Sequence, residues 1–360
     1  MSRRSRDKNT APVRARRRTG ADREQGCPTA GARSGKKRQR PRRWLFLFAL
    51  FLILVLGPRL FLLRPAAGGP APGKCGPALS AGPGQRLEKA DRLRPAPTIK
   101  AEIGAGCACL WNADTGRFLY GKDPEKQAAP ASTTKLLTAL VVLDYCAPEE
   151  IVRVGREIQR IGPSSSTIWL QIGDRLSVEH LLDGLVLSSG NDAAYALAVY
   201  TGRIIAGDDL LTIDEALALF IEKMNEKARE LGAVSSRFTT PDGFDADGYS
   251  TAADLARIGL AFFEHDLLRE IAGTRRLEVE WACGKTSSHR SFVEMLYPDS
   301  EYYFPQLIGG KTGFTKRAGN CAVTAAELDG QLYVCGVLNG ETRQSRWQDS
   351  LTLYQAAAAL

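Results

Sequence analysis

The feature that most restricts what this chain can fold into is a pair of apolar, alternating runs, 321–328 and 331–338, separated only by Asp329-Gly330. Asp-Gly is the dipeptide of two-residue hairpins, because both central residues of that turn need positive φ. A second hairpin stands far upstream. Residues 101–111 (AEIGAGCACLW) read as a strand, Asp114-Thr-Gly116 as a turn, and 117–120 as the returning strand. Between them the period changes to helical. Helices are expected near 132–143, 179–187, 192–200, 216–231 and 251–263, the last opened by Thr251 with Asp254 three residues on. Residues 307–312 look strand-like, and 345–360 read as a closing helix. Strands at both ends with helices between them predict an α+β domain over 99–360, its terminal segments sharing one antiparallel sheet packed on a mostly helical subdomain.

The charge lies mostly outside that domain. Residues 1–43 carry +13 of a net +8 for the whole chain, which leaves −5 for residues 44–360. A basic chain raises the question of nucleic acid. Here the basic stretch is rich in Arg, Gly, Ser and Pro, with no aromatic residue before Trp44, so it reads as a solvated arm and nucleic acid is not expected. From Trp44 to Gly57 every residue is apolar or Gly, and Leu60-Phe-Leu-Leu63 extends the run. That approaches the roughly 20 residues that span a hydrocarbon core. The Arg-rich flank should stay in the cytoplasm and the remainder should be exported, placing the domain on the outer face of the cytoplasmic membrane. A cleaved signal peptide ending near Ala66-Ala67-Gly68 is the rival expectation and would make the protein secreted. Residues 64–98, rich in Pro, Gly and Ala, read as a linker.

Eight cysteines without a CxxC pair do not suggest a disulfide framework. Cys107 and Cys109 alternate on one strand face, which suits burial as free thiols. His180, His265 and His289 lack metal-ligand spacing, so neither a metal nor a cofactor is expected.

Three short motifs follow in order: Ser132-Thr-Thr-Lys135, Ser189-Gly-Asn191 and Lys311-Thr-Gly313. Each is weak alone, and decoys occur at Ser34/Lys37 and at Lys285-Thr286-Ser287. Context separates them. The first motif should open a buried helix, the second should lie in a turn between helices, and the third on a strand; the decoys are expected to fail these conditions. Residues three apart on a helix share a face, so Lys135 can touch Ser132. A serine hydroxyl attacks only when a base takes its proton. An ordinary lysine is protonated at neutral pH, but desolvation and a second cation, here Lys311, would free the amine. A Gly-x-Ser-x-Gly elbow is absent around every serine, and neither Gly-Lys-Thr sequence has the earlier Gly of a phosphate loop.

Residues from about 99 to 360 resemble the penicillin-binding serine DD-peptidases of low-molecular-mass D-Ala-D-Ala carboxypeptidase type (peptidase S11). The resemblance extends to Pro130-Ala-Ser-Thr-Thr-Lys-Leu-Leu-Thr-Ala, Leu187-Ser-Ser-Gly-Asn-Asp-Ala-Ala, Met224-Asn-Glu-Lys-Ala, Tyr249-Ser-Thr-Ala-Ala-Asp-Leu-Ala and Gly310-Lys-Thr-Gly-Phe-Thr. It implies a β-lactamase/transpeptidase-like fold. It also implies an enzyme that removes the terminal D-Ala from peptidoglycan stem pentapeptides through an acyl-enzyme, and that β-lactams inhibit. By resemblance Ser132 is the nucleophile, Lys135 its base and Ser189 the relay to the leaving D-Ala. Asn191 holds the stem-peptide backbone, and Lys311 and Thr312, with Gly313 beside them, hold the terminal carboxylate. The backbone N–H groups of Ser132 and Phe314 form the oxyanion hole. The sequence departs from the family where members often carry Asn-Pro-His-Gly-Leu, here Thr240-Pro-Asp-Gly-Phe, and where an Asn-rich segment becomes Ser288-His-Arg-Ser. The β-rich C-terminal domain and C-terminal membrane helix common in the family are not expected; the span at 44–63 would replace that anchor. Two other functions stay open: a class A-like β-lactamase, for which no Glu-bearing ExxxN loop is evident, and a non-enzymatic penicillin sensor.

Overall fold

A computed structural model describes residues 99–245 and 247–360. The arm, the span and the linker expected within 1–98 lie outside the described residues. Among the described residues no helix is long and apolar enough to cross a membrane.

The order of elements is β1 (Cys107–Asn112), β2 (Arg117–Lys122), α1 (Lys135–Tyr145), β3 (Ile151–Arg153), β4 (Arg175–Ser177), α2 (Val178–Leu187), α3 (Asn191–Ala206), α4 (Ile213–Glu230), α5 (Ala252–Glu264), α6 (Asp266–Gly273), β5 (Arg276–Glu280), β6 (Thr286–Arg290), β7 (Leu307–Thr315), β8 (Gly319–Leu328), β9 (Gln331–Gly340) and α7 (Ser345–Ala358). The five-stranded sheet runs β2-β1-β9-β8-β7, with every neighbouring pair antiparallel. The terminal segments therefore share one sheet, as their sequence predicts: β1 pairs on its other side with β9, Cys107 opposite Leu338. At the hairpin, Asp329 and Gly330 both take positive φ, 49° and 73°, and Leu328 pairs with Gln331.

Strand β1 is buried on both faces. Cys107, Cys109 and Trp111 face one cluster with α1, α2, α3 and α5, while Ala108 and Leu110 face a second cluster with Trp347, Leu353 and Tyr354 of α7. The alternation of a strand sends successive side chains to opposite faces, so the sheet is the middle layer and α7 is its second cover. The six described cysteines are free thiols, five of them buried.

Helix starts follow their caps. Thr251 accepts the Asp254 amide at 3.0 Å and opens α5. Thr212 and Glu215 form a reciprocal capping box at α4, which satisfies two amides that have no partner within the helix. Three details differ from the sequence expectation. Residues 101–106 are not strand; the amides of Gly104 and Ala105 are instead held by the Asp349 carboxylate of α7 at 2.9 and 2.8 Å. Helix α1 starts at Lys135, and the preceding Ala131–Thr134 is a 3₁₀ turn. The decoy at Lys285-Thr286-Ser287 does run into a strand, β6, against expectation. Strand context therefore does not exclude it, but its lysine pairs with Asp174 at 2.5 Å and Gln171 at 3.0 Å.

Candidate active site

The three motifs come together in a cleft of about 1020 Å³ between the edge strand β7 and the helices; Ser132, Ser189, Asn191, Thr312, Gly313 and Phe314 line it. Ser132 lies in the 3₁₀ turn ahead of α1. In that tighter helix residues three apart eclipse one another, so Lys135 sits directly over Ser132 and its Nζ donates to Ser132 Oγ at 2.9 Å. The turn is entered through Ala131 at φ 48°, left-handed and uncommon for a residue with a side chain.

Lys135 is 0% exposed. Its ammonium also donates to Asn191 Oδ1 at 2.7 Å and to the Asp242 carbonyl at 3.0 Å. Burial lowers its pKa to about 8, with the nearby charges of Asp242 and Asp192 acting in the opposite direction. Desolvation is thus the first cause, where the sequence suggested a shared role for Lys311. Repulsion between the two lysines acts on Lys311 as well. That lysine, 1% exposed, is held well below the ordinary lysine range by burial, then by the charges of Lys135 and Arg346.

Lys311 Nζ donates to Ser189 Oγ and to the Thr312 carbonyl, both at 2.9 Å. Ser189 occupies the three-residue reversal between α2 and α3, at φ 55°. Asn191, the first residue of α3, donates through Nδ2 to Ser165 Oγ at 2.9 Å, and its backbone amide donates to the Ser166 carbonyl at 2.7 Å. Asp192 beside it accepts the amides of Ile168 and Leu170 at 3.0 Å, fixing the loop that carries Ser165.

Two glycines mark where backbone meets backbone. A Cβ on Gly313 would lie 3.1 Å from the Ser132 nitrogen and 3.0 Å from the Pro130 carbonyl, so β7 runs directly beside the Ser132 amide. Gly243, at φ 73°, would bring a Cβ 2.0 Å from the Ala131 carbonyl. The Thr240-Pro-Asp-Gly-Phe segment is therefore the brace under the 3₁₀ turn, and its Pro241 carbonyl accepts Thr138 Oγ1 at 2.6 Å. Phe314, 60% exposed, stands at the mouth of the cleft.

Every residue singled out by the motifs lies at this cleft or hydrogen-bonds within it. The sequence did not point to Asp242, Ser165, Asp192 or Arg346. Asp242 acts through its carbonyl, which no side-chain pattern reports. Arg346 lies on α7, buried, with Nη1 3.5 Å from the Gly313 carbonyl, and its helical periodicity made it look like any other amphipathic position. Among the described residues no group of three His, Cys, Asp or Glu could hold a metal ion.

The family model for D-alanyl-D-alanine carboxypeptidase, peptidase S11, matches residues 94–342. The chain belongs to the peptidase S11 family. Among S11 relatives, D-alanyl-D-alanine carboxypeptidase DacB2 of Mycobacterium tuberculosis is 31% identical over 73% of this chain and 87% of its own length. DacF of Bacillus subtilis, also a D-alanyl-D-alanine carboxypeptidase, is 29% identical over 67% of this chain; the chain spans only 59% of that relative. The crystal structure of the Streptomyces K15 DD-transpeptidase superposes with a TM-score of 0.66 at 29% identity, covering 72% of this chain and 99% of the other. The fold is thus that of the penicillin-binding transpeptidases, with an antiparallel sheet and a helical subdomain.

Proposed function

We propose that this S11 protein is a serine-type D-Ala-D-Ala carboxypeptidase that removes the terminal D-Ala from peptidoglycan stem pentapeptides. The observation that carries the proposal is the buried Lys135 ammonium, held between Ser132 Oγ and Asn191 Oδ1 with its pKa near 8. Such an amine loses its proton close to neutral pH and can then take one from Ser132. Ser132 Oγ attacks the carbonyl between the two D-alanines, and the oxyanion is met by the amides of Ser132 and Phe314. Ser189, held by Lys311, passes a proton to the departing D-Ala. Lys311 and Thr312 grip the terminal carboxylate, and Asn191 the stem backbone. Water then releases the acyl group. A β-lactam acylates the same serine and stays.

The domain acts outside the cytoplasm, tethered to the cytoplasmic membrane by residues 44–63; the basic flank and apolar run support this. Alkaline carbonate extraction should leave the full chain in the membrane pellet; release into the supernatant counts against the tether.

Mass spectrometry of a defined pentapeptide, incubated with the detergent-solubilised full chain, tests the activity. Loss of D-Ala by the wild type and none by Ser132→Ala is expected. Equal loss by both would overturn the assignment.

A further inference from the structure

The small hairpin β5–β6 sends one buried side chain to the reversal that carries Ser189. His289, 1% exposed, has Nδ1 3.1 Å from Ser188 Oγ and Nε2 2.9 Å from Ser287 Oγ. Ser287 Oγ in turn accepts the buried Trp281 indole N–H at 2.8 Å. The ring leans on α2, where a Cβ on Gly184 would come within 3.5 Å of His289 Cε1. Burial, helped by the nearby charge of His180, pushes the imidazole down to about 4, so it stays neutral at ordinary pH. A neutral imidazole has one donor and one acceptor, and here both are used, whichever nitrogen carries the proton.

This contact falls at a demanding point of the backbone. Ser188 closes α2 in right-handed geometry, and the next residue, Ser189, turns left-handed. A serine holds that conformation only when its surroundings fix it. Gly190 and Asn191 are fixed from the far side by the carbonyls of Gly184 and Ser166. Lys311 holds the Ser189 hydroxyl itself. Among the described residues, the Ser188 hydroxyl has one side-chain hydrogen-bond partner, His289.

We propose that His289 is a positioning residue for acyl transfer: it anchors Ser188 and thereby aims Ser189 Oγ at Lys311 and the reacting centre. The inference rests on the functional reading above. An Asn side chain, like a neutral imidazole, offers both a donor and an acceptor, which makes it the conservative replacement at position 289.

The test is the acylation of Ser132 by a fluorescent penicillin, with the acylation rate and the affinity resolved separately. It uses the wild type, His289→Ala, His289→Asn, Ser189→Ala and the His289→Ala/Ser189→Ala double variant, each with its Tm. Misaiming a group at the reacting atoms slows chemistry more than binding. His289→Ala should therefore cut the acylation rate by about tenfold or more at unchanged affinity. His289→Asn should restore most of it. In the Ser189→Ala background, His289→Ala should cost nothing further, because both act through one hydroxyl. An equal fractional loss in both backgrounds, a loss that follows Tm without rescue by Asn, or no loss at all would overturn the proposal. A wild type that is never acylated at Ser132 would instead overturn the functional reading and remove the basis of this one.

Discussion

Each wall of the cleft buries one lysine, and the two walls treat it differently. On the helical wall, Lys135 meets three acceptors and two carboxylates whose charge favours its protonated form. On the strand wall, Lys311 meets two acceptors, and the charges acting on it are both cations, Lys135 and Arg346. Arg346 is itself lowered to about 10, by burial and then by Arg343, and its Nε–H has no hydrogen-bond partner among the described residues. A buried charge without a counter-charge is costly. The helical wall offsets that cost within the protein and leaves a lysine that can exchange a proton. The strand wall does not offset it, and the cost shows as the lowered pKa of Lys311; a carboxylate beside it would supply the missing counter-charge. In the proposed mechanism one chemical type serves as base on one side and as anion receptor on the other.

The sharpest way to break this contrast is Lys135→Arg. Arginine keeps the charge but never gives up its proton. Acylation by a labelled penicillin should fall by roughly 10²- to 10⁴-fold, the usual worth of a general base. In the wild type the same rate should climb with pH as Lys135 deprotonates through about 8 and then level off. A flat profile across that range would take the base role away from Lys135.

Lys311→Ala tests the other wall and should have a smaller effect. A hydrogen bond to a charged group contributes about 1.5–3 kcal/mol, so kcat/KM for a pentapeptide ending in free D-Ala should drop roughly 10- to 100-fold. For the same peptide with an amidated C-terminus, the wild type should already be poor and the substitution should add little. If both substrates lose equally, Lys311 serves the chemistry and not the carboxylate, and the contrast between the walls collapses.

Much of this was legible in the sequence, for physical reasons that vary with the element. The Asp329-Gly330 turn demands positive φ and strongly favours its dipeptide, so the hairpin and the meeting of the chain ends were readable. The caps at Thr212 and Thr251 are likewise local. The motif residues were readable because each needs a particular side chain. Contacts made through backbone were not: the Asp242 carbonyl under Lys135, or the close pass of Gly313 beside Ser132, depend on chain segments more than a hundred residues apart. The short antiparallel pair β3–β4 and the hairpin β5–β6 escaped because three to five residues carry too little periodicity to stand out. The left-handed Ala131 and Ser189 escaped because neither residue type favours that conformation; tertiary contacts impose it.

The smallest expected effect refines the picture of the helical wall. Asn191 has two amide hydrogens and two carbonyl lone pairs. Ser165 takes one hydrogen and Lys135 one lone pair, which leaves one of each for a peptide backbone running along the cleft. If that is how the stem peptide is gripped, Ser165 fixes the direction of the amide and does not touch the scissile bond. Ser165→Ala removes one neutral hydrogen bond, on the order of 1 kcal/mol. KM should therefore rise by about fivefold with kcat nearly unchanged, measured on the pentapeptide by D-Ala release. A fall in kcat instead would mean that the amide, once released from Ser165, also disturbs Lys135, and that the helical wall acts as one coupled unit from Ser165 to Ser132.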